Sequence, residues 1–121
     1  MSFNLEYRER TKAFALRIIK LYQFLLTNKA AKILANQLLR SGTSVGANFR
    51  AACRARSKAE YISKLNIALE EADESCYWME LLIESGMVPE KKLLPLLTES
   101  TELTKVFFAS IKTARFNKKD T

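Results

Sequence analysis

The stretch SKAEYISKLNIALEEADESCYWMELLIESG, residues 57–86, decides the fold. It opens on Ser57-Lys58-Ala59-Glu60, a capping box in which the serine oxygen accepts from the backbone amide of Glu60 and the glutamate reaches back to the amide of Ser57. Downstream, Ile62, Leu65, Leu69, Ala72, Cys76, Met79 and Ile83 recur at alternating steps of three and four, which keeps them on one side of a helix. Gly86 follows where a helix end takes a left-handed residue. The pattern predicts a helix over residues 58–85 whose seam packs against other helices.

The flanking sequence repeats the theme. Before this stretch, Tyr7, Phe14, Ile18, Leu21, Tyr22 and Leu25 predict a helix over 6–26, and Thr27-Asn28 reads as a break. A second segment, 30–54, presents Leu34, Leu38, Ser41, Val45, Asn48 and Ala52 without a phase slip across Ser41-Gly42-Thr43-Ser44. One long helix with Gly42 and Gly46 at a close backbone approach is expected, against a kink or loop at the glycines. After Gly86, Pro89 suits a first helical turn, and Leu93, Leu96, Leu97, Leu103, Val106, Phe107 and Ile111 predict a last helix over 89–116. Pro95 either kinks that helix or marks its start, and the tail from Asn117 is expected to fray. Four amphipathic helices with short connections bury their stripes most simply as a single-domain, all-α, antiparallel up-down four-helix bundle.

Composition agrees. Of 121 residues, 48% are apolar and 27% charged, with three Gly and two Pro, a balance that disfavours disorder and turn-rich all-β folds. Charges among residues 6–12 interrupt any secretory signal, and no apolar run approaches the roughly 20 residues of a membrane span, so a cytoplasmic protein is expected. Cys53 and Cys76 lack metal-ligand spacing in a chain with no His, and are expected to be reduced thiols without chemistry. The net charge of +7 is lopsided: residues 1–64 hold 13 Lys/Arg against three acids, and residues 65–121 hold seven against ten.

Ile67, Trp78 and Leu81 cluster roughly opposite the Ile62-to-Ile83 seam. A second apolar side predicts a contact with another copy of the chain, against cover by a loop or the tail.

Around Arg40-Ser41-Gly42-Thr43-Ser44-Val45-Gly46-Ala47-Asn48-Phe49-Arg50, then Cys53-Arg54-Ala55-Arg56-Ser57-Lys58-Ala59-Glu60, the chain resembles a bacterial four-helix-bundle family encoded within intervening sequences of large-subunit ribosomal RNA genes. The likeness continues through Lys64-Leu65-Asn66-Ile67-Ala68-Leu69-Glu70-Glu71-Ala72-Asp73-Glu74 and Tyr77-Trp78-Met79-Glu80-Leu81-Leu82. The resemblance implies an up-down bundle assembled as a homo-oligomeric ring, commonly a pentamer. It also implies kinship with accessory proteins of diversity-generating retroelements, basic bundles that bind nucleic acid and a reverse transcriptase. The family has no established enzymatic activity. Many relatives carry a glutamate where this chain has Ala51, so a role needing a carboxylate beside Asn48 is not expected here.

Candidate sites follow from charge and polarity. Arg40, Arg50, Arg54, Arg56, Lys58 and Lys64, with Lys29 and Lys32 earlier, form a basic group of the kind that binds RNA or DNA phosphates by charge neutralisation. The alternative is a structural or adaptor oligomer in which they pair with Glu70, Glu71, Asp73, Glu74, Glu80 and Glu84, within a subunit or between subunits. Asn48, on the apolar stripe of the second segment, is expected to fix register as a buried polar group, in a network that could include Arg40. The carboxylate spacing of Glu70/Asp73 and Glu71/Glu74 resembles di-iron bundles, but those need Glu-x-x-His pairs. No catalytic, cofactor or metal residue is assigned, and an enzyme is not expected.

Overall fold

In the computed structural model, which describes residues 2–117, the chain forms α1 (Phe3–Leu25), α2 (Lys29–Cys53), α3 (Lys58–Glu84) and α4 (Glu90–Phe116). The frayed tail expected beyond Asn117 lies outside the described residues. Each helix start has a local cause. The Ser2 side chain accepts from the Leu5 amide, so α1 begins earlier than its apolar stripe predicts. Asn28 accepts from the amides of Ala30 and Ala31 at the head of α2. Ser57 accepts from the Glu60 amide at 3.0 Å, while the return bond from Glu60 is not made, so only the serine half of the capping box forms. α3 ends as expected: Gly86 adopts φ +82° and its amide bonds Ile83. α4 starts after Pro89 and runs through the exposed Pro95, so that proline lies inside the helix and does not mark its start.

Sequential helices pack antiparallel, and α4 returns more lightly onto α1. α2 is one uninterrupted helix, and its glycines are the reason α1 lies close. A Cβ on Gly42 would stand 2.8 Å from Ile18 Cγ1, and one on Gly46 would stand 3.3 Å from Thr11 Oγ1. Phe14, Ile18, Leu38, Val45, Phe49, Leu65, Met79, Leu82, Leu93, Leu103 and Phe107 fill the core, with Phe49 and Phe107 stacked at 5.4 Å.

Two stripes sit rotated from their sequence reading. In α2 the buried line is Ala31, Ala35, Leu38, Ser41, Gly42, Val45, Phe49 and Ala52, with Leu34 and Asn48 at its margin. A phenylalanine contributes far more apolar area than an asparagine, so the helix turns Phe49 inward. In α3 the line is Leu65, Ala68, Ala72, Ser75, Cys76, Met79 and Leu82, leaving Ile62, Leu69 and Ile83 half-buried. The small residues Ala68, Ala72 and Ser75 allow the neighbouring helices to approach. Their hydroxyl neighbours are satisfied: Ser41 and Ser75 bond each other at 2.8 Å, and Ser100 donates to the Ala72 carbonyl at 2.7 Å.

Candidate nucleic-acid interface

On the outer side of the glycine contact, α1 and α2 diverge into a groove of about 250 Å³. Its walls are Arg8, Thr11, Lys12 and Ala15 of α1 and Thr43, Gly46, Ala47 and Arg50 of α2. Arg8 and Lys12 are one helical turn apart, and the antiparallel register that sets Gly46 on Thr11 carries Arg50 to the same groove. None of the lining residues is acidic. Among the described residues the ion pairs belong to Arg10 and Arg40, so Arg8, Lys12 and Arg50 face the groove without a carboxylate partner.

Of the six cations expected to bind nucleic acid, Arg50 alone lines this groove. Arg40 stays exposed but lies away from the groove, in an ion pair within the chain. It crosses from α2 to α3, bonding Glu71 at 3.0 Å and also Glu74, and the two carboxylates hold its guanidinium more firmly charged. Lys58 also lies outside the groove, where its Nζ donates to the Asn117 carbonyl at 2.6 Å and ties the start of α3 to the end of α4. Arg54 caps α2 through its backbone and keeps an exposed side chain, Arg56 is exposed in the α2–α3 connection, and Lys64 is half-buried on α3. Charge clusters along the chain do not reveal Arg8 and Lys12. Their i, i+4 spacing beside the Tyr7 stripe is the signal that could have found them.

Asn48 also departs from expectation. It is half-buried, and its Nδ2 donates to the Ser44 carbonyl of its own helix at 2.9 Å, so it joins no inter-helical network and Arg40 is not its partner. Trp78 does not stand on a bare outer face. It is half-buried against the core, and its indole N–H donates to Glu74 at 3.3 Å. Ile67, Glu74 and Leu81 are spaced by sevens, so they share one flank, and the Arg40 pair shows that this flank leans toward α2. Leu81 is half-buried there, while Ile67 and Tyr77 remain exposed.

Cys53 lies near Arg8 and Arg54. Burial pushes its thiol above the ordinary value against the opposing pull of the two guanidiniums, so it is a neutral, poorly nucleophilic thiol at pH 7. Both Cys53 and Cys76 are free, and among the described residues no three Cys, Asp or Glu side chains converge as a metal ion requires. Among the same residues no helix is long and apolar enough to cross a membrane.

Comparison with known proteins bears on the whole bundle. A model of the family described as 23S rRNA-intervening sequence protein matches residues 4–109. The chain is similar to a crystal structure, at 1.70 Å, of a protein with unknown function from the S23 ribosomal protein family of Bacteroides thetaiotaomicron. The two share 42% identity over 90% of this chain and 97% of that one, with a TM-score of 0.83. None of the curated proteins matches.

Proposed function

The chain belongs to the 23S rRNA-intervening sequence protein family, and on that footing we propose that it is a non-enzymatic, cytoplasmic, homo-oligomeric bundle whose α1–α2 groove binds the phosphates of RNA or DNA. One observation carries the reading: Arg8, Lys12 and Arg50 converge on a groove with no carboxylate in its wall. Like charges brought together repel, and a phosphate placed between them relieves that repulsion and releases counterions to solvent. Such binding fixes a strand's position without reading its sequence. The chain's net charge of +7 means that a cationic excess survives all internal pairing.

Assembly is supported by apolar groups that a lone subunit leaves in water. Leu16, Ile33, Phe108 and Phe116 are more than half exposed, and Phe108 with Leu69 lines an open groove between α3 and α4. A ring, five-membered in the resemblance, would cover such groups. In the adaptor alternative the same cations meet acids of a neighbouring copy. Arg40 makes such a pairing within its own chain, with Glu71 and Glu74, which supports that alternative for this one cation, whereas Arg8, Lys12 and Arg50 have no carboxylate partner among the described residues.

The double variant Arg8→Gln, Arg50→Gln separates the two, followed by mass measurement of the native particle with and without RNA and DNA. We expect wild type to retain nucleic acid at low salt, and the variant to lose it while keeping its subunit count. Loss of assembly in the variant would instead favour the adaptor, and absence of retention by wild type would overturn the reading.

A further inference from the structure

The opposite flank of α1 holds a second basic groove with an aromatic ring in it. Arg10 and Glu99 close the α1–α4 seam at one end through a paired contact, Nη2 to Oε1 at 2.6 Å and Nε to Oε2 at 3.1 Å. Toward the end of α1 and the start of α4 the seam opens. There Leu21 and Leu96 form the floor of a groove whose rim is Arg17, Lys20 and Lys92, and Phe24 stands among them 53% exposed. Lys92 Nζ lies 3.6 Å from the centroid of the Phe24 ring. No lining residue is acidic.

The ring and Arg17 would suit a protein contact, but Lys20 and Lys92 beside them would not, because Lys is depleted there. The whole group fits well against a nucleotide, whose base has a π-face for the ring and whose phosphate suits the ammonium and guanidinium groups. In a duplex the base faces are already stacked, so the ring selects unpaired bases. From Lys12 to Phe24 is twelve residues, or about 18 Å of helix. Both cationic grooves therefore flank the same helix, within reach of one bound strand.

We infer that Phe24 is a base-stacking residue and that the ligand is single-stranded RNA or DNA, with Arg17, Lys20 and Lys92 holding the adjoining phosphates. This inference rests on the nucleic-acid reading given above and narrows it. The Lys92 side chain has a flexible four-carbon stem, so it can exchange the ring face for a phosphate when a base arrives.

The test is fluorescence anisotropy of wild type, Phe24→Ala and Phe24→Trp with a labelled oligouridine, an abasic strand of equal length and a duplex, alongside the native mass of each protein. Loss of one stacked base corresponds to about 5- to 150-fold weaker binding of oligouridine by Phe24→Ala. The abasic strand is expected to bind both proteins alike, Phe24→Trp to retain oligouridine, and the slope of affinity against salt to stay unchanged, since no cation is removed. Unchanged oligouridine affinity in Phe24→Ala, with wild type binding, would overturn the stacking role and leave the phosphate reading intact. Equal weakening on the abasic strand, or a changed subunit count in Phe24→Ala, would also overturn it, the latter by making the ring a subunit contact. If wild type binds none of the three probes, the nucleic-acid reading itself fails and this inference with it.

Discussion

Gly42 and Gly46 lie one turn apart on α2 yet carry different constraints. At Gly42 a methyl group would press on Ile18, a β-branched residue fully enclosed by the core, at 2.8 Å. Overpacking of that kind costs about 1–3 kcal/mol, more than the roughly 1 kcal/mol that alanine gains over glycine in a helix. Gly42→Ala is therefore expected to lower stability by up to about 2 kcal/mol in chemical unfolding. At Gly46 the nearest atom is 3.3 Å away, and crowding and helix propensity nearly cancel, so Gly46→Ala is expected to unfold within about 0.5 kcal/mol of wild type. An equal loss from both would mean that the helices do not meet at this register. Much at this scale is legible in the sequence, because glycine pairs at helical spacing in an otherwise apolar stripe have few other uses. Asn48 and Trp78 are not. A helical wheel places a residue to within one position, and one position is the difference between a core group and the back-bonded amide or flank indole observed here.

At the scale of the element, each helix is legible because its punctuation is chemical: Asn28 and Ser57 as caps, and Gly86 as the left-handed stop. Ser57→Ala removes the acceptor for the Glu60 amide and is expected to cost about 1 kcal/mol, while Glu60→Ala, which removes a side chain that makes no return bond, changes stability by only a few tenths. Thermal unfolding of the two variants checks this, and equal losses would show that the full capping box forms in solution. Pairing between elements is harder to read. Arg10–Glu99 joins residues 89 apart and Arg40–Glu74 residues 34 apart, and no local pattern distinguishes such a partner from any other carboxylate. Only the antiparallel register of α2 against α3 separates Arg40 from the free cations.

For the whole molecule, the linear bias of charge toward the first half is real, but the bundle redistributes it. Arg40 and Lys58 make contacts within the chain on the bundle surface, whereas Arg8, Lys12 and Arg50, separated along the chain, are gathered into one groove by the close packing of α1 on α2. The basic surface is a product of topology, so no reading of charge runs alone could outline it. The same packing ties stability to function: a substitution that pushes α1 away from Gly42 also widens the distance between Lys12 and Arg50.

The central claim, that this groove neutralises phosphates, is tested most directly by the salt dependence of oligonucleotide affinity in wild type and in Arg50→Gln. Removing one phosphate-binding cation lowers the slope of log affinity against log salt by about 0.7 for a single strand. Tight binding at low salt, with a slope smaller by about that amount in Arg50→Gln, is the predicted result. Identical slopes and affinities for the two proteins would contradict it.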